Sequence, residues 1–517
     1  MSLLEQIQAL IRSEADQQAF LQRTQGVLAP ADFQRVEAVE RLLLAAREAL
    51  LKHQQSNAKL RRVLFGPKTE QTAPEHPASP GPPKGKRRGH GRRGAGQYTG
   101  ARRIPVCHPS LQVGQVCACC RRGKLRRQKQ PGIAMQLQGS PPVTATVWEL
   151  EKLRCDGCGT LFTAPLPPEA GTEKFADTVG PLVGLLRFGC GVPHYRLARL
   201  QESLGVPLPE STQWEAMAPV VRAAEPVFQE LIRQTAQADV LYVDDTTMRV
   251  RELRKKGGEA IDPKRKGTFT TTVVGELGPL AVVVFFTGWR HAGENLTEVL
   301  RHRAAELAPP IQMCDALSRN VPVGFQTVLG NCLIHGRREF LDIVGAFPAE
   351  GRQVVEQLRE VYRFDAEAKD RGLSPTERLA HHQTKSGPVM VELQRWMTEV
   401  LVKKRTEPNS GLGQAIQYMQ NHWEPLTLFL RVPGAPLDNN VAERTLKMAI
   451  LHRKNSQGYK TVAGARVGDL FMSLIQTCRR NSANPFEYLL ALVRNPAAVA
   501  ANPGAWLPWN YQFQAAA

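Results

Sequence analysis

The stretch ADVLYVDDTTMRV, Ala238 to Val250, sets the expected fold of this 517-residue chain. Its apolar run Val240 to Val243 ends in two adjacent carboxylates, Asp244 and Asp245. Such a β-branched run predicts a buried strand, with the acids at its end. Alternation sends neighbours to opposite faces, so the sequence leaves open which of Asp244 and Asp245 faces a functional partner.

Downstream, a charged loop with Gly257-Gly258 leads to TFTTTVVGEL (Thr268 to Leu277), then Gly278-Pro279, then LAVVVFFTGW (Leu280 to Trp289). The pattern predicts a three-stranded antiparallel meander. A helix over Ala292 to Ala305 follows, then a short strand in PPIQMCDAL (Pro309 to Leu317), then TVLGNCLIH (Thr327 to His335). This order describes an α+β, mixed-sheet domain of the ribonuclease-H type. Arg337 to about Arg431 reads as helical and as an insertion, assigned to about residues 341–432. DNNVAERTLKMAI (Asp438 to Ile450) opens the last block, with Asp438 as a good N-cap and Glu443 in the second turn.

Three acids on such a skeleton have a chemistry available to them. Phosphodiester cleavage uses two divalent ions about 3.5–4 Å apart, one for the attacking and one for the leaving oxygen. Magnesium asks for hard oxygen ligands held at rigid strand or helix ends. Asp244 follows the first strand, Asp315 ends the strand Ile311 to Cys314, and Glu443 sits on a helix.

Charge points the same way. The chain holds 67 Lys+Arg against 48 Asp+Glu, a formal net charge of +19. The span from His76 to Trp148 contains no acid at all, and most of the excess positive charge lies within it. Lys84, Lys86, Arg87, Arg88, Arg92 and Arg93 lie in the Pro/Gly-rich part of that span. Localised charge of this kind suits phosphate neutralisation with counterion release, although a solvated linker has the same composition. No apolar run approaches the roughly 20 residues of a membrane-spanning helix, and the N-terminus MSLLEQIQAL lacks the pattern of an export signal. The expected location is the cytoplasm, in association with the nucleoid.

Ten cysteines include two C-x2-C pairs, Cys117/Cys120 and Cys155/Cys158, which predict a structural Zn2+ site with a β-ribbon over Ala134 to Leu153 between them. Cys119 and Cys107 are competing ligands, while Cys190, Cys314, Cys332 and Cys478 read as small buried hydrophobes. Near the N-terminus, Val36, Val39, Leu43, Ala46, Leu50, His53, Asn57, Leu60 and Leu64 form a heptad seam. It fits either a self-associating coiled coil, making the chain a homo-oligomer, or a helix packed on its own protein. Tyr195 to Thr212 has the helix, glycine turn and Ser/Thr cap of a helix-turn-helix, a pattern shared with ordinary helical hairpins.

The ordered motifs LFGPKTE (Leu64 to Glu70), PHYRLARLQESLGV (Pro193 to Val206), VDDT (Val243 to Thr246), CLIHGRREF (Cys332 to Phe340), PLDNNVAERTLKMAILHRKN (Pro436 to Asn455) and NPFEYL (Asn484 to Leu489) resemble the IS66 family of DDE transposases. The resemblance spans nearly the whole chain. It implies a ribonuclease-H-like core with a helical insertion before the final acid, preceded by an N-terminal helical region and a zinc-binding segment. It also implies a catalytic triad of Asp244, Asp315 and Glu443, far apart along the chain and together holding Mg2+ or Mn2+. His335 lies near the metals by the same resemblance. Two positions depart from the family pattern: Asp315-Ala316-Leu317-Ser318 lacks an aromatic after the second Asp, and Leu333 replaces a Trp.

The implied reaction is cleavage at a transposon end followed by attack of the freed 3′-hydroxyl on target DNA. Terminal inverted repeats and target DNA are then the partners, with accessory proteins of the element. Arg337, Arg338, Arg444, Arg453 and Lys454 are candidate phosphate contacts. The competing readings are an inactive, domesticated transposase that only binds DNA, and a plain metal-dependent nuclease. The expected divisions are an N-terminal helical region (1–70), a basic linker (71–104), a zinc module (105–166) and a helical segment (167–235). A catalytic domain (236–500) and a tail (501–517) complete them.

Overall fold

The computed structural model describes residues 14–25, 27–41, 105, 109–116, 122, 124–126, 140–154, 156, 158, 160–171, 173–254, 265 and 267–512. They belong to two compact units, Met1–Ala58 with Pro142–Ala517, and Lys59–Pro141. In the smaller unit, Val116 and Lys124 form an antiparallel bridge.

The larger unit is mixed α+β. It begins with α1 (Glu14–Thr24), and residues 30–41 are helical as well. Strands β1 (Lys152–Arg154) and β2 (Leu161–Thr163) pair antiparallel around the Cys155–Cys158 knuckle. This corrects the expected ribbon over Ala134 to Leu153: of its described part, residues 140–153, only Lys152 and Leu153 are strand, and the hairpin they begin flanks the second knuckle.

Helices α2 (Val179–Gly184), α3 (His194–Ser203) and α4 (Glu210–Ala236) follow. Gly205 takes φ +76° in the turn between α3 and α4, a conformation glycine adopts without steric penalty. The expected Ser/Thr cap is corrected: Pro209 holds the N-cap position, and Ser211 and Thr212 lie inside the first turn. The helix α4 is 27 residues long and buries Met217, Val220, Val227, Phe228 and Leu231, so it is a core element.

The sheet contains β3 (Val240–Thr247), β4 (Phe269–Leu277), β5 (Leu280–Gly288), β6 (Ile311–Cys314) and β7 (Val328–Asn331), in the order β5-β4-β3-β6-β7. The meander β3-β4-β5 is antiparallel, whereas β3, β6 and β7 run parallel. Helix α5 (Ala292–Leu300) connects β5 to β6. It stops short of the expected Ala305, because Arg303 turns back to donate to the carbonyls of Ala236 and Ala238. TVLGNCLIH divides in two: β7 ends at Asn331, and Leu333 starts a helix.

Between β7 and the last block come α6 (Leu333–Ile343), α7 (Pro348–Asp370), α8 (Pro375–Val402), α9 (Gly411–Asn421) and α10 (Trp423–Leu426). The last block holds α11 (Asn440–Ser456), α12 (Val462–Arg480), α13 (Pro485–Arg494) and α14 (Pro496–Ala501). Asn439, not Asp438, occupies the N-cap position of α11, so Glu443 falls in its first turn. Asp438 still helps by accepting from the Asn440 backbone N–H at 3.0 Å.

Edge strand β5 is sealed by α12. The backbone N–H groups of Ala281, Val283, Phe285 and Thr287 donate to Asn481, Thr477, Ser473 and Asp469 respectively, at 2.7–3.2 Å. Four helical residues advance about 6 Å and two strand residues about 6.8 Å, so an i, i+4 polar stripe keeps step with alternate strand amides. An edge that is hydrogen-bonded in this way offers no template to a second strand.

Among the described residues, no helix is long and apolar enough to cross a membrane. Of the four isolated cysteines, Cys314, Cys332 and Cys478 are buried. Cys190 is exposed, which corrects its expected burial: the chain turns there through Gly191 at φ +72°.

Candidate active site

The parallel register between β3 and β6 places Val240 opposite Ile311, Leu241 opposite Gln312 and Tyr242 opposite Met313. Counted onward through Val243 and Cys314, the same register brings Asp244 level with Asp315, just past the end of β6. Neighbouring strands lie about 4.8 Å apart, and residues level across a parallel pair point to the same face.

Asp245 is used differently. Its carboxylate accepts from the Ala292 N–H at the start of α5, at 3.2 Å, and pairs with Arg319 at 2.8 Å. Its side chain is 3% exposed, so this pair is the inward end of an otherwise surface arginine. Strand alternation therefore commits Asp245 to the α5 side and Asp244 to the other.

Glu443 arrives through α11, whose start is bolted to the sheet. The Asn439 side-chain amide donates to the Val243 carbonyl at 2.9 Å, one residue before Asp244. The Asn439 backbone N–H donates to Cys332 Sγ at 3.3 Å, and the Leu333 N–H donates to the Leu437 carbonyl at 3.0 Å. These three bonds tie β3, the β7–α6 junction and the first turn of α11 together.

The electrostatics are unfavourable for carboxylates alone. Burial, then the charge of Asp315 and to a lesser degree Glu443, pushes Asp244 up to about 7, against one opposing hydrogen bond from the Asp245 N–H. Asp315 is raised as well, first by burial. It accepts from the Asn320 side-chain amide, and His335 lies close enough to oppose the rise. Glu443 Oε1 is buried without a hydrogen-bond partner. Like charges gathered out of water call for a cation.

Beside them, Cys332, His335 and Glu443 bring one ligand atom each to within 4.8 Å of one another. Cys332 precedes α6 and His335 lies in its first turn, so a C-x2-H spacing places both on one side of the helix. Burial pushes the Cys332 thiol up to about 12.

The candidate phosphate contacts divide. Arg338, Arg444 and Lys454 are exposed and Arg337 is half-buried. Arg453 instead ties α11 to the end of β3, donating to the hydroxyls of Thr246 and Thr247 at 2.9 and 2.8 Å. Lys84, Lys86, Arg87, Arg88, Arg92 and Arg93 lie outside the described residues, as do Cys107, Cys117, Cys119, Cys120 and Cys155. Cys158 is exposed, 3.1 Å from the Thr160 hydroxyl. Of the heptad seam only Val36 and Val39 are described, and Val39 is exposed.

Asn439, Asn320 and the Arg319–Asp245 pair escaped the sequence reading. The doubled asparagine of Asp438-Asn439-Asn440 is a signal for Asn439 alone, since a single Asn suffices as a cap.

The sequence model of the Transposase IS66 family matches residues 182–467. The uncharacterized protein y4hP of Sinorhizobium fredii (strain NBRC 101917 / NGR234) is 26% identical over 440 residues, covering 79% of this chain and 75% of y4hP. The uncharacterized protein y4jD of the same strain is 24% identical over 417 residues, covering 77% of this chain and 78% of y4jD. No solved structure matches the chain.

Proposed function

The chain belongs to the IS66 family of transposases, and we propose that it cleaves and joins DNA at the ends of a mobile element through Asp244, Asp315 and Glu443. The observation that carries the reading is the β3–β6 register. The pairing of Tyr242 with Met313, continued along both strands, sets Asp244 opposite Asp315. A sheet whose first three strands are antiparallel and whose last two join in parallel also supports a ribonuclease-H-type core. On this reading the helices α6 to α10 are its insertion.

The donor set fits a hard dication. A carboxyl raised to about 7 and an orphaned Glu443 oxygen are costly by themselves, and all three acids offer the oxygen ligands that Mg2+ or Mn2+ prefers. When bound, such ions activate the attacking oxygen and stabilise the leaving one. The chain's own work is positional. The sheet holds two carboxylates level, Asn439 keeps the first turn of α11 against Val243, and Arg319 neutralises Asp245 so that it does not compete for the ions.

The remaining parts serve DNA positioning in this proposal. The basic segment and Arg338, Arg444 and Lys454 contact phosphates, which set affinity, while base contacts specify the terminal inverted repeats. Structural Zn2+ on Cys117, Cys120, Cys155 and Cys158 orders the module that follows the linker. Self-association and accessory proteins of the element complete the assembly.

Labelled terminal-repeat DNA, a plasmid target and Mg2+ test this together. Joined product from the native chain, lost in Asp244→Asn with end binding retained, is the expected outcome. Binding without cleavage by the native chain identifies a DNA-binding protein, and hydrolysis without joining identifies a nuclease. Full strand transfer by Asp244→Asn overturns the triad.

A further inference from the structure

Glu443 has neighbours of different chemical character. Its charge acts on Asp244, an oxygen donor. It also meets a thiol and an imidazole, Cys332 and His335, with all three ligand atoms within 4.8 Å. Magnesium has little affinity for sulfur or nitrogen donors, whereas zinc takes Cys, His and Glu at about 2.3, 2.0–2.1 and 2.0–2.2 Å. Tetrahedral coordination at those lengths sets ligand atoms roughly 3.3–3.7 Å apart. Against the 4.8 Å bound, the adjustment needed between any two ligand atoms is at most about 1.5 Å.

The site is also prepared for such a cation. His335 Nδ1 and Glu443 Oε1 are both buried and without hydrogen-bond partners, an unusual state for two polar atoms on neighbouring helices. Cys332 Sγ receives the Asn439 N–H from the start of α11 and sits at the start of α6, so two helix N-termini converge on it. Those helix N-termini offset part of the cost that burial sets on a thiolate once a metal displaces the proton.

We propose that Cys332, His335 and Glu443 form a second, inhibitory metal site for a borderline-soft divalent cation, here Zn2+, which takes Glu443 away from the two aspartates. Binding forms Zn–S, Zn–N and Zn–O bonds, releases the Cys332 S–H proton to solvent and leaves a fourth position for water. No electron changes hands. The inhibitory part rests on the catalytic reading of Glu443; the binding part does not.

The test separates the two. The full chain and its Cys332→Ala and His335→Gln variants are titrated with Zn2+ in Mg2+-free buffer, and bound zinc is counted by equilibrium dialysis. Thermal melts check that each variant is folded. Zinc held by the N-terminal cysteines is common to all three proteins and cancels. The native chain is expected to bind one more zinc than either variant, and equal stoichiometry in all three proteins overturns the site. Strand transfer in Mg2+ is then measured with and without micromolar Zn2+, each protein normalised to its own zinc-free rate. Inhibition of tenfold or more in the native chain, reduced to under twofold in Cys332→Ala, is expected. An extra zinc that leaves native activity unchanged overturns the inhibition while keeping the site. A native chain that binds the extra zinc but never joins DNA overturns the catalytic reading instead.

Discussion

At Asp365 the fold surrounds a buried carboxylate with cations; at Asp244 it surrounds one with other carboxylates. Asp365 joins α7 to α8: Arg378 donates to it at 2.7 and 3.0 Å, Lys369 pairs with it at 2.7 Å and His382 lies at 3.2 Å. Burial pushes this carboxyl up, but His382, Arg378 and Lys369 outweigh that and hold it well below the usual range. For Asp244 burial and neighbouring charge act together, and it rises to about 7. The first cluster is complete as the chain folds. The second is left short of positive charge, which is what the proposed metal-binding role of Asp244 requires and a purely stabilising cluster avoids.

The widest gap between the clusters should appear in activity. Asp244→Asn and Glu443→Gln are expected to lower Mg2+-dependent strand transfer by about a thousandfold or more, measured on labelled end DNA, since they remove charge at the proposed reacting centre. Asp365→Asn should leave that rate within a few-fold of native. An equal loss in all three variants would erase the distinction.

Stability should reverse the ranking. Asp365→Ala leaves Arg378 and His382 facing an empty buried position, and breaking such a cluster costs about 3–5 kcal/mol in urea unfolding. Asp244→Asn relieves repulsion instead. In metal-free buffer at pH 8 it should stabilise the chain by on the order of 1–3 kcal/mol, seen as a higher Tm. Added Mg2+ should raise the Tm of the native chain and not that of the variant, because binding to the folded state alone stabilises it.

Acid titration gives a further contrast. The Asp365 carboxyl is depressed on folding, so its contribution is fully present above the unfolded value of about 3.9. It is lost as pH falls below that value toward the folded one. Native protein should therefore lose stability more steeply below about pH 4 than Asp365→Asn, whose side chain does not titrate. Parallel acid-denaturation curves would remove Asp365 from the account. The smallest effect belongs to the surface: Lys454→Ala should reduce the salt dependence of end-DNA binding by about one phosphate contact while leaving sequence preference intact.

Much of the sheet is legible in the sequence. Val240–Val243, Val273–Val274 and Val282–Phe285 are apolar because their strands are covered, and the turn at Gly278-Pro279 marks where β4 reverses. The helix boundaries are less legible. Arg303 stops α5 early through bonds to Ala236 and Ala238, residues far back along the chain that no local pattern reveals. Asn439 displaces Asp438 as the cap for a similar reason: its side chain is engaged by Val243 across the fold. The choice between Asp244 and Asp245 is not local either, because a period of two is unchanged by which face is called the inner one.

Local periodicity and charge thus specified the parts: a β-rich run ending in acids, a helical stretch after it, a helix carrying Glu443, and a localised basic segment. Each residue expresses those properties wherever it lies. Coincidence in space came only with folding. The parallel register sets Asp244 level with Asp315, Asn439 draws Glu443 toward them, and the same helix start brings Cys332 and His335 within reach. Those meetings depend on hydrogen bonds between residues far apart along the chain, and chain separation carries no information about them until strands pair and helices dock.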